Sequence, residues 1–129
     1  MEKTLWKTIR DKLPNFFIQR IETQIERGIP DVHYCVAGIS GWIEGKYIKS
    51  PKRDNTKIKL KLTVEQIAWH KTYNYYGGRI YVLAKKDRDV YLFTGSMSEQ
   101  LAVGVSKEEF EKLAVAKGWE EIKIFLSKL

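Results

Sequence analysis

The stretch GIPDVHYCVAGISGWIEGK, Gly28 to Lys46, leaves the chain the least structural freedom. Val32, Tyr34 and Val36 share one parity, and so do Ile43, Gly45 and Tyr47. The VAGISG between them is turn chemistry, so the segment reads as a β-hairpin. Side chains alternate across a strand with period two, which puts Glu44 and Lys46 on one face and Ile43, Gly45 and Tyr47 on the other. If Val32, Tyr34 and Val36 share a core with Ile43 and Tyr47, Asp31 joins Glu44 and Lys46. Register decides the pairing. A two-residue turn at Ala37-Gly38 sets Asp31 opposite Glu44. A four-residue turn from Ala37 to Ser40 sets Asp31 opposite Lys46 and His33 opposite Glu44. Both keep the three charges on one face. A one-residue slip would expose the apolar set, so burial works against it.

Directly opposed strand residues have Cβ atoms about 4.5–5.5 Å apart, and like charges at that spacing are destabilising. Asp31 and Glu44 therefore need a cation near them, from Lys46 or from a bound metal. Magnesium commonly takes one or two carboxylates, keeps several waters and adds substrate phosphate oxygens. Such a site suits phosphodiester hydrolysis, with the ion polarising the phosphoryl oxygen and activating a water. Lysine adds a compact positive charge. A third carboxylate, Glu22 or Glu26, lies just upstream.

The rest of the chain supplies a frame. TLWKTIRDKL spaces Leu5, Trp6, Ile9 and Leu13 as a helix that Pro14 ends. NFFIQRIETQIERG fits a helix through Phe17, Ile21 and Ile25, and a strand through Phe17, Gln19, Ile21 and Thr23. Lys49 to Lys61 is a basic loop, and it finishes in KIKLKL, a strand-like alternation. Thr63 and Gln66 form a T-x-x-Q capping box. The helix they start carries Val64, Ile67, Ala68 and Tyr75 and stops at Gly77-Gly78. RIYVLAKKDRDVYLFTG reads as a second hairpin. Ser106 and Glu109 cap a helix expected to reach about Lys117, with Gly118 as its left-handed cap. Trp119, Ile122, Phe125, Leu126 and Leu129 continue at helical spacing, as core or as an interface. This mixture predicts an α/β domain with a mixed sheet, one domain over residues 1–129.

Composition narrows the class. The 129 residues carry 23 Lys and Arg against 16 Asp and Glu, a net charge of +7, which favours a polyanionic partner such as nucleic acid. No apolar run is long enough to span a membrane, and MEKTLWKTIRDKLP lacks the apolar core of a signal peptide. Cys35 is the single cysteine, so the reading is a reducing, cytoplasmic compartment. Phosphate-binding Gly-rich loops with Lys-Ser/Thr, paired Cys-x-x-Cys and His-Glu-x-x-His are all missing from the sequence.

These residues resemble the PD-(D/E)xK nuclease superfamily. Pro30-Asp31 matches the first half of its motif, and Glu44-Gly45-Lys46 the second. The series RIETQIERGIPDV, GWIEGK, LTVEQIAWH and YYGGRIYVL is similar to small phage nucleases of the virus-type replication–repair group, related to Holliday-junction resolvases. The likeness runs from Arg20 to about Leu83. It implies a restriction-endonuclease-like mixed sheet flanked by helices, with a catalytic hairpin. It also implies Mg²⁺, or Mn²⁺ in its place, held by Asp31, Glu44 and the Gly45 carbonyl, with Lys46 assisting the attacking water. Glu22, by its place in RIE, matches the family's N-terminal acid better than Glu26. Gln66 matches a glutamine often found at the start of the following helix. Gly45 departs from the pattern, which usually has an aliphatic residue there.

The expected activity is that of a metal-dependent DNA endonuclease, acting on branched DNA such as four-way junctions, as a homodimer in the host cytoplasm if phage-encoded. The readings beside it are a non-catalytic DNA-binding module of the same fold and a nuclease of low selectivity. Lys49, Lys52, Arg53, Lys57, Lys59 and Lys61 are expected to meet backbone phosphates. His33 is expected partly exposed on its strand and His70 on a helix surface. Cys35 is expected partly buried. The aromatic residues of AWHKTYNYY are expected mostly in the core, with one tyrosine free to contact DNA. A second Glu-x-Lys, Glu121-Ile122-Lys123, reads as a solvated helix face.

Overall fold

The computed structural model describes residues 3–22, 27–49, 53 and 56–128. Six strands form one mixed sheet in sequence order: β1 (Phe17–Arg20), β2 (Val32–Val36), β3 (Ile39–Ile48), β4 (Ile80–Lys86), β5 (Asp89–Thr94) and β6 (Ala116–Lys117). Only β3 and β4 run parallel, and helix α2 (Val64–Tyr75) lies in the crossover that such a pair needs. Helix α1 (Lys3–Lys12) precedes the sheet. A 3-10 turn at Gly95–Met97 leads into α3 (Ser98–Val103), followed by α4 (Lys107–Leu113) and, after β6, α5 (Trp119–Leu126).

The ambiguous segment is a strand: β1 pairs antiparallel with β2, Arg20 opposite Val32. The first hairpin takes the two-residue turn. Val36 pairs with Ile39, and Ala37 and Gly38 both have positive φ, as the tightest hairpin turn requires. The second hairpin turns at Asp87-Arg88, between Lys86 and Asp89.

The sheet is covered on both faces. One face sets Val32, Tyr34, Ile43, Leu83 and Leu92 against Leu5, Ile9, Ile122 and Leu126 of the terminal helices. The other sets Val82, Ala84, Tyr91 and Phe93 against Leu101, Val105 and Phe110. Glu44 and Lys46 have the parity of this second face, where α2 lies.

Three expectations need correction, and one alternative left open is decided. KIKLKL alternates, with Ile58 and Leu60 buried, but forms only an isolated bridge, Ile58 to Val105, because among the described residues no strand runs alongside it. The helix after Ser106 ends at Leu113. Ala116 and Lys117 then pair with β5, and Gly118 at φ 84° introduces α5 rather than closing α4. On α2, Val64 and Tyr75 point into solvent, and the fully buried residue is His70. The C-terminal stripe is core: Ile122 and Leu126 are inaccessible, and Trp119 and Phe125 pack against the same cluster, whereas Leu129 lies outside the described residues. Among the described residues no helix is long and apolar enough to cross a membrane.

Candidate active site

β2 stops pairing at Val32, one residue short of the point where β3 would next need a partner. Asp31 fills that place. The register of Val32 with Ile43 carries on to set Asp31 across from Glu44, and the Gly45 amide donates to Asp31 Oδ2 at 3.1 Å. A carboxylate thus takes over the ladder where the strand ends, and Gly45 is the hinge of that exchange. Glu44 lies opposite Val82 of β4 and is 1% exposed.

From above, α2 closes the site. The capping box is complete in both directions: the Gln66 amide donates to Thr63 Oγ1 at 3.1 Å, and Gln66 Oε1 accepts from the Thr63 amide at 2.9 Å. The same Oε1 also accepts from Lys46 Nζ at 3.3 Å. Gln66 therefore both starts the helix and holds the lysine. Lys46 Nζ stays 4.0 Å from Glu44 Oε2. Gly28 fixes the other side of the helix start, since a Cβ there would lie 2.4 Å from the Glu65 carbonyl oxygen.

One turn on from Gln66, at the i+4 position of the same helical face, His70 sits over Glu44 with no exposure. Its Nδ1 shares a 2.6 Å hydrogen bond with Ser98 Oγ, from the buried first residue of α3. Its Nε2 stands 3.8 Å from Glu44 Oε1, beyond hydrogen-bond range. Three buried side-chain polar atoms among the described residues lack a partner, and two of them are this facing pair. Leaving a buried polar atom unsatisfied costs about 1–3 kcal/mol. A fold that keeps two such atoms pointed at one another is arranged for something other than rest-state stability.

The electrostatics agree. Burial, then a hydrogen bond with Glu44 and its charge, push the Asp31 carboxyl up to about 7. Burial also raises Glu44, against the pull of Asp31 and Lys46. Burial and the neighbouring Lys46 lower His70 to about 4, so its ring is neutral at ordinary pH. Burial thus raises both carboxyls of the pair. A hard divalent ion fits this donor set: two neighbouring carboxylates, Asp31 and Glu44, the latter with an unpartnered oxygen, beside the Gly45 peptide. No larger cluster forms, since no group of three His, Cys, Asp or Glu side chains is gathered for a metal among the described residues.

Glu22 is described at the end of β1, 73% exposed and in a 2.9 Å ion pair with Arg20. Glu26 and Lys52 lie outside the described residues. Lys49, Arg53, Lys57, Lys59 and Lys61 are all exposed. His33 is half-buried as expected, against Trp42. The residues that sequence reasoning missed are His70 and Ser98. A signal for His70 existed: Gln66-x-x-x-His70 aligns the two on one face of a helix already expected. Nothing local marks Ser98.

No family model matches this chain, and no curated protein does either. Solved structures do. The chain is similar to Hjc, a Holliday junction resolvase from the archaeal hyperthermophile Archaeoglobus fulgidus, with a TM-score of 0.67 over 97% of this chain and 99% of that one. The fold is the mixed α/β fold of that structure. At 16% identity it is the architecture that is shared.

Proposed function

We propose that this chain is a metal-dependent endonuclease that hydrolyses phosphodiester bonds in branched DNA. The observation that carries the proposal is the Asp31–Glu44 pair, two carboxyls set across from one another at the end of the β2–β3 ladder, with Glu44 fully buried and both raised by burial. The resolvase-like architecture and the net charge of +7 support the same reading. Asp31, Glu44 and the Gly45 carbonyl would hold Mg²⁺, or Mn²⁺ in its place. Bound there, the ion would supply Lewis-acid stabilisation of the phosphoryl group and lower the pKa of a water.

The chain's own groups do the rest. Lys46, held by Gln66, presents its ammonium beside Glu44, where it can orient the attacking water or offset charge developing on the phosphate. The Ser98–His70 pair fixes the roof over Glu44 and excludes bulk water from its buried edge. Glu22, at the surface beside Arg20, is proposed as the outlying acid of the site. The exposed lysines and arginine between Lys49 and Lys61 would follow the phosphate backbone.

One site cuts one strand, and a four-way junction needs two cuts, so we infer a twofold dimer. Its interface must use a surface other than the C-terminal stripe, which is core. Light scattering decides the dimer. The activity is tested with labelled four-way junction, gapped duplex and blunt duplex, each with Mg²⁺ and with EDTA. Mg²⁺-dependent cutting strongest on the junction is expected. Equal cutting in EDTA removes the metal, equal cutting of blunt duplex leaves an unselective nuclease, and binding without cutting leaves a DNA-binding module.

A further inference from the structure

A train of aromatic rings crosses from the sheet onto α2. His33 and Trp42, cross-strand partners in β2 and β3, have centroids 4.9 Å apart. Trp42 meets Trp69 edge-on at 5.6 Å, and Trp69 stacks on Tyr73 at 4.8 Å. None of the four belongs to either buried core. Instead Trp69 and Tyr73 line an open cleft of about 510 Å³, together with Ala68, Tyr76 and the Arg27–Glu65 pair. Tyr76 is 80% exposed and packs edge-on against Tyr75, itself 84% exposed.

The wall is rigid. Tyr73 lies close against Gly78, where a Cβ would fall 2.2 Å from the ring, and stacks on Trp69. Tyr75 and Tyr76 extend this aromatic surface into solvent, and a contiguous exposed apolar patch is a mark of a binding site. The lining is aromatic rather than aliphatic, which favours a planar guest. Arg27 and Glu65 offer a donor and an acceptor in the cleft, which suits the polar edge of a heterocycle.

Position selects among planar guests. Glu65 and Trp69 immediately precede Gln66 and His70 on α2, and Trp42 and His33 stand two residues from Glu44 and Asp31 on their strands. The cleft and the carboxylate site are therefore adjacent faces of the same elements. We propose that the cleft takes a single unpaired nucleobase of the nucleic acid whose backbone lies at the carboxylate site. Only an unpaired base can enter, because bases inside a duplex have both faces covered by their neighbours. The proposal rests on the nuclease reading and deepens it, since it makes strand separation next to the cut part of recognition. Base–aromatic stacking is worth about tenfold in affinity per base.

The test uses the full chain in EDTA, so that binding is read without cutting. Its probes are a duplex with a three-nucleotide gap and a blunt duplex of equal length. Gapped DNA should bind about tenfold tighter than blunt DNA, on the same stacking argument. It should also quench tryptophan fluorescence, and Trp69→Phe should remove most of that quench. Ala68→Phe fills the cleft and Tyr76→Ala strips a ring from its lining. Both positions are exposed, so circular dichroism should match wild type, and the gapped-to-blunt ratio should fall towards one. A wild-type ratio of one, or a ratio that neither variant changes, overturns the cleft proposal, while Mg²⁺-dependent junction cutting would still uphold the nuclease reading. A wild type that binds neither DNA overturns both.

Discussion

The chain writes Glu-x-Lys twice and folds it in two ways. In β3, Glu44 and Lys46 lie on one face, Glu44 is buried, and the middle residue turns away. In α5 the pattern inverts. Residues two apart on a helix point about 200° apart, so Glu121 and Lys123 diverge and the middle residue, Ile122, is the buried one. Glu121 accepts the Lys117 amide at 3.2 Å, and Lys123 pairs with Glu120 at 3.1 Å, both at the surface. Identical letters become a converging acid–base pair in one place and a solvated helix face in the other. What separates them is the period of the backbone and the neighbour across the ladder: Asp31 stands opposite Glu44, and nothing comparable faces Glu121. Charge buried beside like charge has chemical potential that charge in water lacks.

That difference should appear most strongly in activity. Asp31→Asn and Glu44→Gln remove the ionisable oxygens and are expected to lower junction cleavage by about 10³-fold or more, the scale on which essential catalytic groups act. DNA binding should survive, since each change removes negative charge. Lys46→Ala should cost about 10²-fold, with less effect on the Mg²⁺ dependence. Glu121→Gln and Lys123→Ala should cut at the wild-type rate. Full activity in Glu44→Gln, measured on a labelled four-way junction, would make the two copies equivalent and end the comparison.

Each copy also has a hydroxyl nearby. Ser98 holds His70 over Glu44, and Ser127 donates to the Lys123 carbonyl at 2.7 Å at the end of α5. Ser98→Ala and Ser127→Ala each delete one hydrogen bond, worth about 1 kcal/mol. Their melting temperatures should drop by similar small amounts. Only Ser98→Ala should slow cleavage, by about tenfold, because only Ser98 acts on the roof of the acid pair. Ser98→Thr, which keeps the hydroxyl, should recover the rate if it packs. Equal rates for the two alanine variants would make His70 a packing residue and nothing more.

Titration separates the regions through stability. In EDTA the folded chain holds the Asp31 proton up to about pH 7, against 3.8 for the unfolded chain. The stability this contributes is complete below 3.8 and is lost as pH rises towards 7. His70 runs the opposite way: folded, it protonates only near pH 4, so its contribution is complete above 6.5 and is lost as pH falls towards 4. Asp31→Asn removes the first effect and keeps the second. Its melting temperature should therefore gain on wild type steadily between pH 4 and 7 in EDTA. Excess Mg²⁺ should stabilise wild type at pH 7 and narrow the gap, because an ion that binds only the folded state raises its stability. Glu121→Gln should track wild type throughout. A gap that does not vary with pH would mean that burial does not raise the Asp31 carboxyl.

The contrast between the copies also explains what was legible in the sequence. Period-two alternation fixed the shared face of Asp31, Glu44 and Lys46 before any turn length was known, because both registers preserve it. Thr63-x-x-Gln66 announced α2 by local chemistry alone, and the cap is present in both directions. What escaped depended on contacts distant in sequence. His70 looked like a surface residue because the apolar residues of its helix, Val64 and Tyr75, suggested the wrong buried face. α2 covers a polar site, so its inward row is Gln66 and His70. Ser98 arrives from another helix 28 residues away and leaves no periodic mark. Ala116 and Lys117 read as the end of a helix, and only the free edge of β5 makes them a strand.

The smallest effect concerns the basic residues that follow β3, for which α5 again provides the control. Arg53 and Lys57 are exposed, whereas Lys123 is spent on Glu120. A cation already paired within the chain releases few DNA counterions, and a free one releases its full share. Each phosphate contact on duplex DNA contributes about 0.9 to the slope of log affinity against log salt. Replacing Lys52, Arg53 and Lys57 together by alanine should flatten that slope by roughly two to three if all three meet phosphate. Lys123→Ala should leave it within error. The measurement is fluorescence anisotropy of a labelled duplex over a salt series in EDTA, using the blunt duplex so that no unpaired base contributes. Affinity at one salt concentration would not discriminate, because losing any positive charge weakens binding slightly through the long-range field. The slope counts contacts, so an unchanged slope in the triple variant would place the DNA backbone elsewhere on the protein even if cleavage still depended on Glu44.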